Sequence, residues 1–374
     1  MLPYGRQSID ESDIEAVTRV LRSDWLTTGP EVAGFEDDLA AWTGGTPCVA
    51  VSNGTAALHT AYAALGVGRG DQVVTSPVTF VATASAAVAL GATVTFADVD
   101  PQTANLDPEA AASALTGRTK VIAAVDYAGH PAEYDDLTKI AESAGVSLVA
   151  DAAHSIGSRY RDRPVGSLAD VTTFSFFPTK NLTTGEGGAV AVRDAGVLTA
   201  ARRFRTHGLV REPALLRDPH EGGWHQEVHA FGLNYRLPDV LAALGRSQLR
   251  RLAAFKARRA HLVARYDELL AGVAGLGLPA RRDHADPMWH LYPVRVRDGR
   301  RREVYERLRA AGIGVQVNFI PAYWHPAFAD LGYRRGMCPV AEAFYAEELS
   351  LPLYPDLTDA EQDWVVETLA GILR

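Results

Sequence analysis

Four lysines occur in the chain, and one of them, Lys180, stands in the stretch "FSFFPTKNLTTGEGGAVAV" between two apolar runs. Lys120 precedes a strand-like run, Lys139 sits in a polar helical stretch and Lys256 in an arginine-rich one, so these three read as solvated. Lys180 falls just beyond the end of a strand that reads as buried, the place where open α/β sheets put their sites. Partial desolvation there favours the neutral amine, the form that attacks carbonyls and makes Schiff bases. Taken alone, the stretch also reads as a surface lysine in a tight turn.

A second stretch, "VSLVADAAHSIG", ends a strand with Asp151 and places His154 three residues on. A carboxylate and a lysine at neighbouring strand ends are what pyridoxal phosphate requires. The acid keeps the pyridine nitrogen protonated, so that the ring accepts carbanion electrons. His154 fits a hydrogen bond to the ring's phenolic oxygen; its plainer reading is a satisfied core histidine. A third stretch, "VAVSNGTAALHTAY", ends a strand and opens a helix at Gly54, Thr55 and Ala56. Free amides and the helix dipole make such a start an anion site, although an ordinary helix cap looks the same. Ser175, on the strand ahead of Lys180, adds a donor for a phosphate. Phe80, in "SPVTFVATA", adds a ring to stack on the pyridine.

Other chemistries find less support. In "HEGGWHQEVH", His225 and His229 are four apart, as metal ligands on a helix are, with His220 nearby. Gly222 and Gly223 predict a loop there, with no third ligand fixed, so no metal is expected. No G-x-G-x-x-G follows a strand, and neither a P-loop pattern nor G-x-S-x-G occurs. Lys plus Arg total 37 against 45 Asp plus Glu, a formal charge of -8, so there is no electrostatic footprint for nucleic acid. The first residues lack a signal-peptide layout. The longest apolar stretch, "FVATASAAVALGATVTF", is too mixed for a membrane span. Cys48 and Cys338 lie in apolar settings and read as free thiols. A cytoplasmic protein is expected.

The elements that position these residues read as an α/β chain. From about 47 to 192, apolar strand-like runs alternate with helical ones. The strands are continuously apolar, the mark of a mostly parallel sheet covered by helices on both faces. Residues 210 to 230 predict a long loop, and a helix follows from about 238 to 270. Beyond it the pattern predicts a second α/β unit with strands in "WHLYPVRV" and "IGVQVNF". The expected division is a large cofactor-binding domain, 1–240, then a linking helix with a small C-terminal domain, 241–374.

Together, "SNGTAAL", "SPVTFVATA", "DAAHSIG", "SFFPTKNLTTGEGGAV", "RTHG" and "GLNYRLPDVLAALGRSQL" resemble the fold-type-I, pyridoxal-phosphate-dependent nucleotide-sugar aminotransferases of the DegT/StrS type, over essentially the whole chain. The resemblance implies a homodimer with shared active sites, in which Asn234 crosses to the partner's cofactor phosphate. It also implies L-glutamate as amino donor and a nucleotide-linked keto sugar as acceptor. Within the family, "VDYAG", "WHLYPVRV", "GIGVQVNFIPAY" and "AEAFYAEELSLPLY" are similar to the pseudaminic acid pathway enzymes, which aminate C4 of a UDP-linked 4-keto-6-deoxy-N-acetylhexosamine. Phe177 stands where many relatives carry His. The resemblance implies that Phe177 and the segment "PAYWHPAF" lie near the sugar. Tyr323 and His325 in that segment fit closure over it and Tyr4 the same pocket, with loop packing as their plainer reading. Arg236 and the arginines of "ARRFRTHG" (Arg202, Arg203, Arg205) are candidates for the diphosphate, the latter three reading equally as solvated helix charges. Relatives that replace the lysine with His are dehydratases, so Lys180 implies transamination. Amination of a dTDP-linked keto sugar or a cyclitol in antibiotic assembly is the alternative activity, and the non-enzyme alternative is a regulator that binds the cofactor without turnover.

Overall fold

A computed structural model describes all residues, Met1–Arg374. Its centre is a seven-stranded sheet of β1 (Cys48–Val51), β2 (Gln72–Thr75), β3 (Thr93–Phe96), β4 (Thr119–Val125), β5 (Ser147–Asp151), β6 (Val171–Ser175) and β7 (Gly188–Val192). The spatial order is β1-β7-β6-β5-β4-β2-β3. Only β7 runs against the others, pairing antiparallel with both β1 and β6.

The continuous apolar runs follow from this placement. Along a strand, successive side chains point to opposite faces. Val121 and Ala123 enter one apolar cluster with helix Gly54–Ala64, while Ile122 and Ala124 enter another beneath the long helix Asp239–Leu270. With both faces covered, these strands favour apolar residues on both sides.

A second, antiparallel sheet comprises β8 (Leu276–Gly277), β9 (Tyr292–Val296) and β10 (Glu348–Leu351). It packs on the end of the long helix through Leu262, Tyr266 and Leu270, and on the helices Arg301–Ala310 and Asp359–Leu373. The N-terminus belongs to this assembly as a strap: Leu2 donates to Gly312 and accepts from Gly314, and Tyr4 accepts from Leu353.

The strand expected in "IGVQVNF" is not there. Ile313 and Gln316 form only isolated bridges, to Leu2 and Ser350. The reason is polar. The Asn318 amide donates to the carboxylate of buried Glu348 (2.6 Å), and its side chain donates to Ser350 Oγ (3.0 Å), so side chains replace a ladder partner. No helix is long and apolar enough to cross a membrane.

Candidate active site

A cavity of about 600 Å³ opens at the ends of β4, β5 and β6, where Val125, Asp151 and Ser175 lie. His290 and the segment Gln316–Phe319 border it from the second sheet's side.

Asp151 ends β5, and its buried carboxylate accepts from Thr83 Oγ1 (2.5 Å) and from the Ala153 amide (3.2 Å). Burial pushes its pKa upward, opposed by these two hydrogen bonds and by the charge of Lys180. Thr79 bonds Thr83 in turn at 2.7 Å, which fixes the hydroxyl that meets Asp151.

Lys180 lies in the same cavity. Loss of solvent around its amine lowers the pKa to about 8, with the charge of Asp151 pulling the other way. At neutral pH the ammonium still dominates, but roughly a tenth is the nucleophilic, neutral amine, far more than for a free lysine. The next residue, Asn181, donates from Nδ2 to the carbonyls of His154 (2.6 Å) and Met288 (3.1 Å). That side chain ties the Lys180 turn to two segments far apart in sequence. His154 is buried, and its Nδ1 has no protein partner. Burial, reinforced by the charge of Lys180, holds the imidazole well below its ordinary pKa, so it is neutral.

Helix Gly54–Ala64 starts at the end of β1, capped by Asn53, whose Oδ1 accepts from the Ala56 amide at 2.8 Å. The first amides of a helix have no intrahelical partner, so those of Gly54 and Thr55 remain for an anion. Glycine is needed at 54, since a Cβ there would come within 2.8 Å of Ser175 Cβ. This close approach sets the Ser175 side chain beside the helix start. The arrangement fits pyridoxal phosphate: an anion seat, a carboxylate for the pyridine nitrogen, an unpartnered buried imidazole nitrogen and an amine share one cavity.

Of the other residues singled out from sequence, Tyr4, Phe80 and Phe177 line the cavity. Phe80 is 59% exposed and Phe177 46%, so both present rings to incoming ligand. Ala56 does not line it, and its amide is committed to Asn53. Tyr323 and His325 do not border the cavity either. Tyr323 is buried against Phe96, its hydroxyl donates to Glu342 Oε1 (2.5 Å), and the following helix is packed there by Phe328. An apolar ring surface and an internal carboxylate thus hold "PAYWHP" at the β3 edge. Asn234 and Arg236 also lie outside this chain's cavity; Asn234 is exposed, and the backbones of both form bridges, to Thr206 and Val51. His225 and His229 bond Glu227 in a loop and a short strand, and no group of three or more such residues is arranged to hold a metal ion.

Sequence reasoning missed Thr83, Asn181, His290, Asn318 and Phe319. Only a local polar interruption marks the last three, His290 in "MWHLYPV" and Asn318 beside Phe319 in "VQVNF".

The family model of the DegT/DnrJ/EryC1/StrS aminotransferases matches residues 7–370. The spore coat polysaccharide biosynthesis protein SpsC of Bacillus subtilis is 38% identical, over 100% of this chain and 97% of its own length. The UDP-4-amino-4,6-dideoxy-N-acetyl-beta-L-altrosamine transaminase of Campylobacter jejuni is 34% identical, over 100% and 98%. The solved PLP-form of Spr1654 from Streptococcus pneumoniae superimposes with a TM-score of 0.93 at 31% identity, covering 100% of this chain and 98% of that one.

Proposed function

The chain belongs to the DegT/DnrJ/EryC1/StrS aminotransferase family, a pyridoxal-phosphate-dependent sugar aminotransferase, and from that premise we propose that it moves an amino group from L-glutamate to C4 of a UDP-linked 4-keto-6-deoxy-N-acetylhexosamine. The observation that carries the substrate is the apolar, partly exposed ring of Phe177 in the lining of the cavity that also holds Lys180. An apolar wall suits a methyl or acetyl group, because a hydroxyl buried there would lose its partners. The name of the full-length Campylobacter relative points the same way.

Bound pyridoxal phosphate supplies an electron sink for the carbon that loses its proton. The chain's own groups do the rest. The Gly54 and Thr55 amides with Ser175 seat the phosphate, and Asp151 holds a proton on the pyridine nitrogen. Lys180 Nζ, once free, carries the proton to and from the sugar's C4 as general acid and base. Phe80 and Phe177 shield the reacting atoms from water. The sugar's diphosphate must find local cations, since the protein as a whole is negative. Arg205 is occupied by Glu36 and the Ala50 carbonyl, and we assign the role to Arg236, which lies outside this chain's own cavity and would act on the site of a second copy.

Steady-state kinetics with L-glutamate and a panel of keto sugars tests this reading. We expect kcat/KM for the UDP-N-acetyl sugar to exceed that for dTDP-4-keto-6-deoxyglucose by about tenfold or more. The reverse preference overturns the substrate and leaves the family standing.

We further propose a homodimer with shared sites. Asn234 lies in an exposed segment with Phe231 (97% exposed) and Leu233 (41%), apolar surface that a second copy would cover. Mixing Lys180→Ala with Asn234→Ala chains should restore activity approaching about a quarter of wild type, since half the dimers are hybrids with one intact site. A mixture no more active than its parts, measured after refolding together, rules out the shared site.

A further inference from the structure

His154 does not stand alone in the cavity wall. The imidazole of His290 lies against it, with ring centroids 4.3 Å apart and planes tilted by 38°. Phe319 stacks on the same ring at 5.9 Å and 23°. Both histidines are buried, and the Nδ1 of each has no protein partner, so the two imidazoles meet by packing and not through those atoms. The contact is built by backbone. The His290 amide donates to Ala128 (2.8 Å), and its carbonyl accepts from Arg259 Nη1 (3.4 Å), which also reaches Trp289 (3.2 Å) and Leu353 (3.1 Å). Asn181 bridges the carbonyls of His154 and Met288. Gly129, at φ +93, lets the two segments close, since a Cβ there would sit 2.2 Å from Met288 O and 3.0 Å from His154 O. Burial holds both rings neutral, so no charge repulsion opposes the stack.

We propose that His290 is a positioning residue: its ring braces the His154 imidazole and fixes the plane in which His154 meets the cofactor. This rests on the reading of His154 as a cofactor contact. His290 acts through ring shape, so a phenyl group can replace it and an aliphatic or amide side chain cannot.

The test measures the pyridoxal phosphate dissociation constant by quenching of protein fluorescence, and the visible band of the bound cofactor, for single and double variants. His290→Ala is expected to weaken cofactor binding about tenfold and to shift the band, within the range of couplings between touching residues. His290→Gln should do the same, and it serves where His290→Ala does not fold. His290→Phe should stay within about threefold of wild type, because aromatic packing is retained. In a His154→Ala background the effect of His290→Ala should shrink below about twofold, the signature of action through His154. A general structural role predicts an undiminished effect in that background, and this outcome overturns the proposal. So does a His290→Phe variant as impaired as His290→Gln, or a His290→Ala variant with wild-type affinity and band. If His154→Ala alone leaves affinity and band unchanged, the underlying reading of His154 has failed, and the proposal with it.

Discussion

Replacing Lys180 with Ala is expected to give a colourless protein in which borohydride fixes no cofactor and turnover falls by at least about 10³-fold, within the range a positioned acid–base group supplies. The other lysines cannot substitute. Lys120 is held by Asp71 (3.7 Å) and the Gly66 carbonyl, Lys139 by Asp136 (3.0 Å), and Lys256 by Asp286 (2.6 Å). Lys180 has no salt-bridge partner and alone borders the cavity. Its pKa of about 8 also sets a direction with pH. The ammonium form cannot attack an aldehyde, so stopped-flow uptake of cofactor by the stripped protein should quicken as pH rises through about 8, then level off. Turnover of Lys180→Ala within tenfold of wild type would sink the assignment.

Changing Asp151 to Asn is expected to preserve the fold and much of the cofactor affinity while kcat drops by about 10²-fold or more, the scale on which electrostatic groups in such sites act, roughly 3 kcal/mol. An amide oxygen can still accept from Thr83 or the Ala153 amide, so the local hydrogen bonding largely survives. What goes is the negative charge, and with it the protonated pyridine nitrogen. The check is kcat together with the thermal midpoint of the cofactor-loaded protein. An effect within about tenfold, at unchanged midpoint, would count against the role.

The parts of the site that were legible in the sequence are those whose signals are local. A strand end followed by a helix start marks Gly54 and Thr55. An apolar run that stops at a charged residue marks Asp151, and a lysine between a strand and a glycine turn marks Lys180. Such signals need only a few neighbouring residues, and the sheet's register carries them to one edge. Contacts spanning long separations left no such trace. The Asn318 amide is satisfied by Glu348, thirty residues downstream. That is why an apolar, β-branched stretch became a cavity wall instead of a strand. The position of the "PAYWHP" segment likewise depends on distant anchors, Phe96 and Glu342. His290 meets His154 only because the chain returns from the long helix, and no periodicity near either residue announces it.

The N-terminal strap bears on how the protein is made. Tyr4 is made long before its partner, since the amide it accepts from belongs to Leu353, and its neighbour Leu2 bonds Gly312 and Gly314. At elongation rates of about 5–20 residues per second, on the order of tens of seconds separate the synthesis of these partners. Through that interval the strap has nothing to dock on, while all strands of the central sheet are made by Val192. The cavity therefore acquires its Tyr4 wall only once Leu353 has been made, so a nascent chain stalled before it holds Lys180 and still lacks a finished active site.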